Sequence, residues 1–380
     1  MRSQSAKQRP SRCVLADVRP IQLRFVRTLA LLTLIAGGSV LGDAPAASAE
    51  PLSVERKMRP LLRELTPGAR ALFDGNSYAR ILFTDPEDML ASAAASRNAA
   101  RLAHRDIFPI PNTSDRVDCN SIPVKEMAVV IIAGQSNGHN STKPNDLYRP
   151  KTKFYNLNVE DGNCYVAREH ALGTTGPGSA FALPLGDELI ISGRYLQALI
   201  VPIAIGGSVI EEWRPDGGRY FPRFERALQL LASHRLSPTF ILWHQGEANA
   251  VPLAYGITYG LFSAPAARRK LIVTPDLRRA AQLGYAAHFY AMVARLRQLG
   301  VQAPIFPAVA TICGEPTPEP AIQAAQKILP DPKWGIFPGP DTDGLDFTSR
   351  HDRCHFDARG IQLMSKAWMS VLANYIKQKN

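Results

Sequence analysis

Met127-Ala-Val-Val-Ile-Ile-Ala-Gly-Gln-Ser-Asn-Gly138 is the stretch whose reading decides the fold. Residues 127–133 are apolar at every position and rich in β-branched side chains, and Gly134 ends the run. A strand with one face in water alternates polar and apolar residues. A strand apolar throughout fits burial on both faces, as in a parallel sheet covered by helices. The small residues that follow form a tight turn with Ser136 at its tip. Such a turn lifts a hydroxyl above the carboxyl end of a sheet, where nearby backbone N–H groups can face an oxyanion. A turn whose Ser only caps the next helix has the same local sequence, so the rest of the chain must decide between them.

The same texture recurs downstream. Residues 196–205 run into Gly206-Gly207, residues 239–243 into His244-Gln245-Gly246, and residues 304–312 into Cys313-Gly314. Helix-spaced apolar patterns occupy residues 180–192, 220–233, 277–299 and 360–377. Strands alternating with helices predict an α/β fold, a three-layer α/β/α sandwich around a mainly parallel sheet. Sites in such sheets form just beyond the carboxyl ends of the strands. Glycine and polar residues follow each strand here.

Outside this unit the chain reads differently. Arg19, Arg24 and Arg27 flank a short apolar stretch at 28–41, and Ala47-Ser48-Ala49 follows. A basic region, an apolar core and an Ala-x-Ala signal in that order predict an export leader cleaved after Ala49. The stretch is short for a membrane span, which needs about 20 apolar residues, although an uncleaved anchor or a misassigned start stays open. Residues 50–123 read as an N-terminal extension, helical at 54–65 and 86–105, and residues 124–380 as the main domain. The predicted location is the periplasm or the extracellular space, with no stable membrane insertion once the leader is gone.

Bulk composition agrees. With 380 residues, 46% of them hydrophobic, the chain can bury a large core. The net charge of +11 is partly the leader's, and the densest later run, Arg268-Arg269-Lys270, has no interleaved aromatics. That excludes nucleic acid as the expected partner. Cys119, Cys164, Cys313 and Cys354 follow the leader, an even number that suggests two disulfides in an exported chain. Three pairings are possible. No Cys/His group has zinc spacing, so no metal and no cofactor are expected.

Four strand-end clusters carry candidate chemistry. Gly134-Gln135-Ser136-Asn137 offers a nucleophile. Ile205-Gly206-Gly207-Ser208 lets backbone N–H groups approach a ligand, and Trp213 shortly after either lines a pocket or sits in the core. Trp243-His244-Gln245-Gly246-Glu247 offers an amide donor at Gln245 and a supporting carboxylate at Glu247, with His244 read as structural. His351-Asp352-Arg353-Cys354-His355 offers a base with its acid: the Asp352 carboxylate can orient the His355 imidazole, whose other nitrogen then takes a serine proton.

Together these blocks resemble the SGNH hydrolase superfamily, and more narrowly its sialate O-acetylesterase type, which includes the carbohydrate esterase family six acetylxylan esterases. The resemblance covers about residues 125–375. It implies a flavodoxin-like fold with Ser136 as nucleophile, His355 as base and Asp352 as acid. It further implies an oxyanion hole from the Ser136 N–H, a glycine N–H at Gly206 or Gly207, and the Gln245 side chain, with Gln135, Asn137, Glu247 and Trp213 in supporting or substrate-binding places. Gly176-Pro177-Gly178 with Phe181 resembles a further family segment. Two departures stand out. The family often has Met where Gly138-His139 stands here, so His139 is either a pocket wall or an exposed loop residue, the latter being the expectation. Residues 250–280 look like an insertion that forms a lid or rim.

The position of Cys354 between Asp352 and His355 suggests a Cys313–Cys354 disulfide that pins this loop, leaving Cys119–Cys164 as the second. The expected function is hydrolysis of small acyl esters, O-acetyl groups on a carbohydrate. Transfer of the acetyl group to a sugar by the same triad is the alternative, and an inactive glycan-binding protein a third.

Overall fold

The computed structural model describes residues 52–74, 76–83, 108–258 and 269–379. The leader and the expected helix at 86–105 fall outside them, as does part of the expected insertion. From Pro51 onward the chain forms one compact unit.

Its centre is a seven-stranded sheet: β1 (Arg116–Val117), β2 (Met127–Gly134), β3 (Tyr155–Asn158), β4 (Asn163–Val166), β5 (Gln197–Pro202), β6 (Phe240–His244) and β7 (Ile305–Pro307). The order is β1-β4-β3-β5-β2-β6-β7. The block β3-β5-β2-β6-β7 is parallel, and β4 is antiparallel to both β3 and β1. The central place of β2 explains its unbroken apolar run. Val129, Ile131 and Ala133 join the core on one face, and Ala128, Val130 and Ile132 join the core on the other. Each fully buried aliphatic side chain contributes about 1.5–3 kcal/mol relative to exposure, so a polar residue anywhere in the run is costly.

Helices cover both faces, as the alternation predicts. On one lie α4 (Ala182–Ile191) and α9 (Ala358–Lys379), where Phe181 stacks on Trp368 at 5.9 Å between ring centroids. On the other lie α5 (Phe221–Ser233), α7 (Pro275–Gln298) and α8 (Pro320–Lys327), while α6 (Glu247–Tyr255) follows β6 directly. The short helices α1 (Val54–Arg63), α2 (Pro67–Asp74) and α3 (Ser77–Leu82) pack on α7. Tyr78 of α3 fills the space over Gly284 that any side chain on α7 would occupy.

Two expected strands are shorter than the apolar runs that announce them. Pro202 closes β5 and Pro307 closes β7, since proline donates nothing to a ladder. Beyond Pro307 the run stays buried but bonds to side chains: Ala310 N–H to Gln326 Oε1, and the Thr311 and Ile312 N–H groups to Asp343 Oδ1. Strands β3 and β4 had no apolar signal. Asn156 and Asn158 are buried in β3, and Asn156 is satisfied there by the backbone of Leu157 and Leu172.

Candidate active site

β2 leaves the sheet at Gly134, whose φ of 122° and close approach to the His244 backbone exclude any side chain. One tight helical turn, Ser136–Gly138, follows. The Gln135 N–H donates to His244 O at 2.8 Å, so the turn is tied to β6. The Gln135 side chain ties it further: its Oε1 accepts from Gln245 Nε2 (3.1 Å), Gly246 N (3.3 Å) and Ala248 N (2.9 Å). Among the described residues the Ser136 N–H and hydroxyl have no hydrogen-bond partner, so no Ser136–His355 bond is formed in this state.

On the last loop, Asp352 and His355 do meet. His355 Nδ1 donates to Asp352 Oδ2 at 2.6 Å, which leaves Nε2 as the basic nitrogen. Asp352 Oδ1 accepts the N–H groups of Cys354 (3.0 Å) and His355 (2.7 Å). Partial burial works against ionising Asp352. The bonds from the His355 ring and from these two N–H groups outweigh it and hold the carboxyl well below the usual carboxylate range. His351, Asp352 and His355 each place a ligand atom within 4.8 Å of the others. Both Asp352 oxygens are already engaged, by the His355 ring and by the Cys354 and His355 N–H groups.

The residue after Ser136 joins the two loops. Asn137 Oδ1 accepts the Phe356 N–H (3.1 Å), and its Nδ2 donates to Cys354 O (3.1 Å) and Glu247 Oε1 (2.8 Å). His355 is thus held on both sides by the neighbour of Ser136. Below it lies Arg350, a residue the sequence reading passed over as part of a polar loop. It is buried, donates to Cys354 O (2.6 Å) and Thr342 O (3.1 Å), and lies 3.9 Å over the Phe356 ring. A disulfide Cys313–Cys354 closes the same loop, and Cys119–Cys164 forms at the sheet edge.

Glu247 is fully enclosed. Burial pushes its carboxyl up to about 7, against the pull of the Asn137 bond and of Arg350. His244 is buried too, with Nε2 donating to Thr342 Oγ1 at 2.9 Å. Burial, then the nearby Arg350 charge, lower it to about 3. Both support the site from behind.

Other expected site residues are placed differently. Trp213 is fully buried among Tyr220, Phe224 and Trp243, so it lines no sugar pocket. Its indole N–H instead donates to Ser208 Oγ (2.9 Å) and stiffens the Gly206-Gly207 loop. Gln245 is fully buried, and its amide donates inward to Gln135 Oε1, Ser208 O and Asn249 Oδ1 (2.6 Å). It is a brace for the Ser136 turn, with no donor left for an oxyanion. The Gly206 N–H is also taken, by Thr175 Oγ1 at 2.9 Å. His139, expected on an exposed loop, is buried. Its ring stacks beside His355 at 6.4 Å and lies against Gly176 and Gly206. The departure from the family's Met to Gly138-His139 after the serine block was the signal, and only the neighbouring Gly176 and Gly206 show where the ring fits.

Residues 126–260 match the family model described as carbohydrate esterase, sialic acid-specific acetylesterase. Similar solved structures include a protein from Arabidopsis thaliana at 16% identity, covering 66% of this chain and 98% of that one, with a TM-score of 0.45. Others are NanS (15% identity, 66% and 98%, TM-score 0.44) and a carbohydrate acetylesterase from Xanthomonas citri (14%, 64% and 56%, TM-score 0.39). No curated relative matches the chain.

Proposed function

We propose that this chain, whose residues 126–260 match the sialic acid-specific acetylesterase family of carbohydrate esterases, is an exported esterase that removes O-acetyl groups from a carbohydrate through Ser136, His355 and Asp352. The observation that carries this reading is the pair of hydrogen bonds from Asn137 to the segment around His355, which holds the Asp352–His355 pair against the serine turn.

In the proposed cycle Ser136 Oγ attacks the acetyl carbonyl carbon while His355 Nε2 takes the hydroxyl proton. Asp352 keeps the proton on Nδ1 and stabilises the resulting imidazolium. The carbonyl oxygen becomes an oxyanion, for which the unengaged Ser136 N–H is a donor. Collapse breaks the bond to the sugar oxygen, which leaves with the proton from His355. Water then attacks the acetyl-serine and gives a proton to His355 Nε2; the bond to Ser136 Oγ breaks, Oγ takes that proton back, and acetate departs. Asn137, Gln135 and Glu247 position these groups and do not touch the substrate.

Export is supported by the two disulfides, which persist in oxidising compartments. Among the described residues no helix is long and apolar enough to cross a membrane. The decisive experiment is Ser136→Ala. Hydrolysis of an aryl acetate should vanish while the thermal unfolding curve is retained, and undiminished turnover refutes the assignment. Analysis of products with a free sugar present separates hydrolysis from acetyl transfer.

A further inference from the structure

The serine turn and the loop that follows β5 lie side by side. Gly134 O, at the start of the turn, accepts the Ile205 N–H (3.0 Å) and the Ser208 hydroxyl (3.2 Å). Gln245 reaches both, through Gln135 Oε1 and Ser208 O. Gln245 is held in turn by polar side chains that the catalytic cycle does not use. Its Nε2 makes its shortest bond, 2.6 Å, to Asn249 Oδ1, and the Ile210 N–H donates to the same oxygen at 3.0 Å. Gln245, Asn249 and Ile210 are all buried, so water does not compete for these bonds.

The two ends of an Asn side chain differ little in size, so the groups around it decide which end faces where. On one side of Asn249 stand two N–H donors, from Gln245 and Ile210. On the other stands the Glu211 carboxyl, whose Oε2 accepts from Asn249 Nδ2 at 2.9 Å. Only one orientation of the amide satisfies both sides. Glu211 thereby fixes Asn249 and, through it, the Gln245 amide. Glu211 is held from outside residues 126–260: its Oε1 accepts the hydroxyl of Tyr78, on α3, at 3.3 Å. Burial, then the nearby Glu211 charge, push the Tyr78 phenol well above its ordinary value, so it stays a donor. Burial also raises the Glu211 carboxyl, against the pull of the Asn249, backbone and Tyr78 bonds and of Arg214.

We propose that Asn249 is a positioning residue of this esterase: oriented by Glu211 and by Tyr78 of the N-terminal extension, it keeps Gln245 between the serine turn and the loop at 206–208, and so sets the alignment in which Ser136 works. The proposal rests on the esterase reading above and deepens it. It gives α3, a helix outside the matched residues, a part in the reaction.

The test is kinetic, on the full chain with an aryl acetate. Asn249→Leu keeps the volume and removes both polar ends. Its kcat should fall about tenfold or more with KM little changed, as misplaced reacting groups do. The double variant Glu211→Gln with Asn249→Asp reverses the polarity of the pair and keeps every bond. The new carboxylate accepts from Gln245 and Ile210, and the new amide donates to it while still accepting from Tyr78. Its kcat should return to within about threefold of the parent, a recovery that a loss of packing alone does not give. Asn249→Leu with kcat within about threefold of the parent, or a folded double variant as slow as Asn249→Leu, overturns the proposal. Should Asn249→Leu fail to fold, Tyr78→Phe decides, since it removes one hydroxyl only. Its kcat should fall about threefold or more with KM little changed, and parent-level turnover overturns the proposal. Failure of the esterase reading looks different: the parent chain then shows no hydrolysis that Ser136→Ala removes.

Discussion

Two regions of the molecule are closed by one disulfide each, over nearly equal lengths of chain: 45 residues for Cys119–Cys164 and 41 for Cys313–Cys354. By loop entropy they should stabilise the fold alike, by about 2–4 kcal/mol each. Their surroundings differ. Cys164 lies in β4 opposite Val117 of β1, where a strand ladder already sets the geometry. Cys354 lies between Asp352 and His355, on a loop that belongs to no strand or helix. The serine turn is likewise set by strands, through Gly134 and the β2–β6 pairing. The base loop depends on cross-links instead: the disulfide, Asn137, and Arg350 on Cys354 O. The comparison teaches that the two cross-links of equal strength guard different things, one an edge and one an alignment.

Asp352→Asn keeps the loop but fails to hold His355 in the right tautomer, so kcat should drop about 10⁴-fold with little change in melting temperature. Steady-state kinetics beside calorimetry checks this, and a mild kinetic effect would mean that the carboxylate is not the acid. Asn137→Ala strands the Phe356 N–H and Glu247 Oε1, while Cys354 O keeps its bond from Arg350. It should cost about 1–3 kcal/mol of stability, as expected for unsatisfied buried groups, and lower kcat by about tenfold or more, as misplaced reacting groups do. Chemical denaturation and turnover read the two separately.

The disulfides themselves give the sharpest contrast. Serine pairs at 119/164 and at 313/354 should each lose about 2–4 kcal/mol, but only the second pair should also lose kcat. Equal kinetic loss from both pairs would erase the distinction between edge and alignment.

The smallest effect is electrostatic. The folded pKa of Glu247, about 7, lies above its ordinary value of 4.5. Burial therefore favours the protonated form, and this group's contribution to stability falls as pH rises from about 4.5 to about 7. Glu212 carries the same sign, so the difference between the parent chain and Glu247→Gln isolates the slope due to Glu247. Asp352 has the opposite sign. Its folded pKa is depressed, so its contribution is present above the ordinary carboxylate range and lost as pH falls below it. Denaturation midpoints across this pH range test both signs.

How much of this was legible beforehand differs by region. The parallel block was, because Val130, Ile131 and Ile132 must be apolar to pack against helices on both faces. The edge was not, because Asn156 and Asn158 in β3 read as loop until the chain around Leu172 arrives to satisfy Asn156. The Asp352–His355 contact and the place of Ser136 on a turn at the end of β2 were legible from residue type and from position after a strand or before the last helix. The burial of Trp213 and His139 and the inward bonds of Gln245 were not.

By itself, then, the sequence determined the α/β core and the order of its strand-end turns. A strand buried on two faces, or a turn pressed against a neighbouring strand, leaves little choice of residue. Tertiary structure decided which donors remain free at the site. Thr175 claims the Gly206 N–H and Asn249 claims the Gln245 amide. Each hydrogen can satisfy few acceptors, and which acceptor stands nearest is a property of the folded chain.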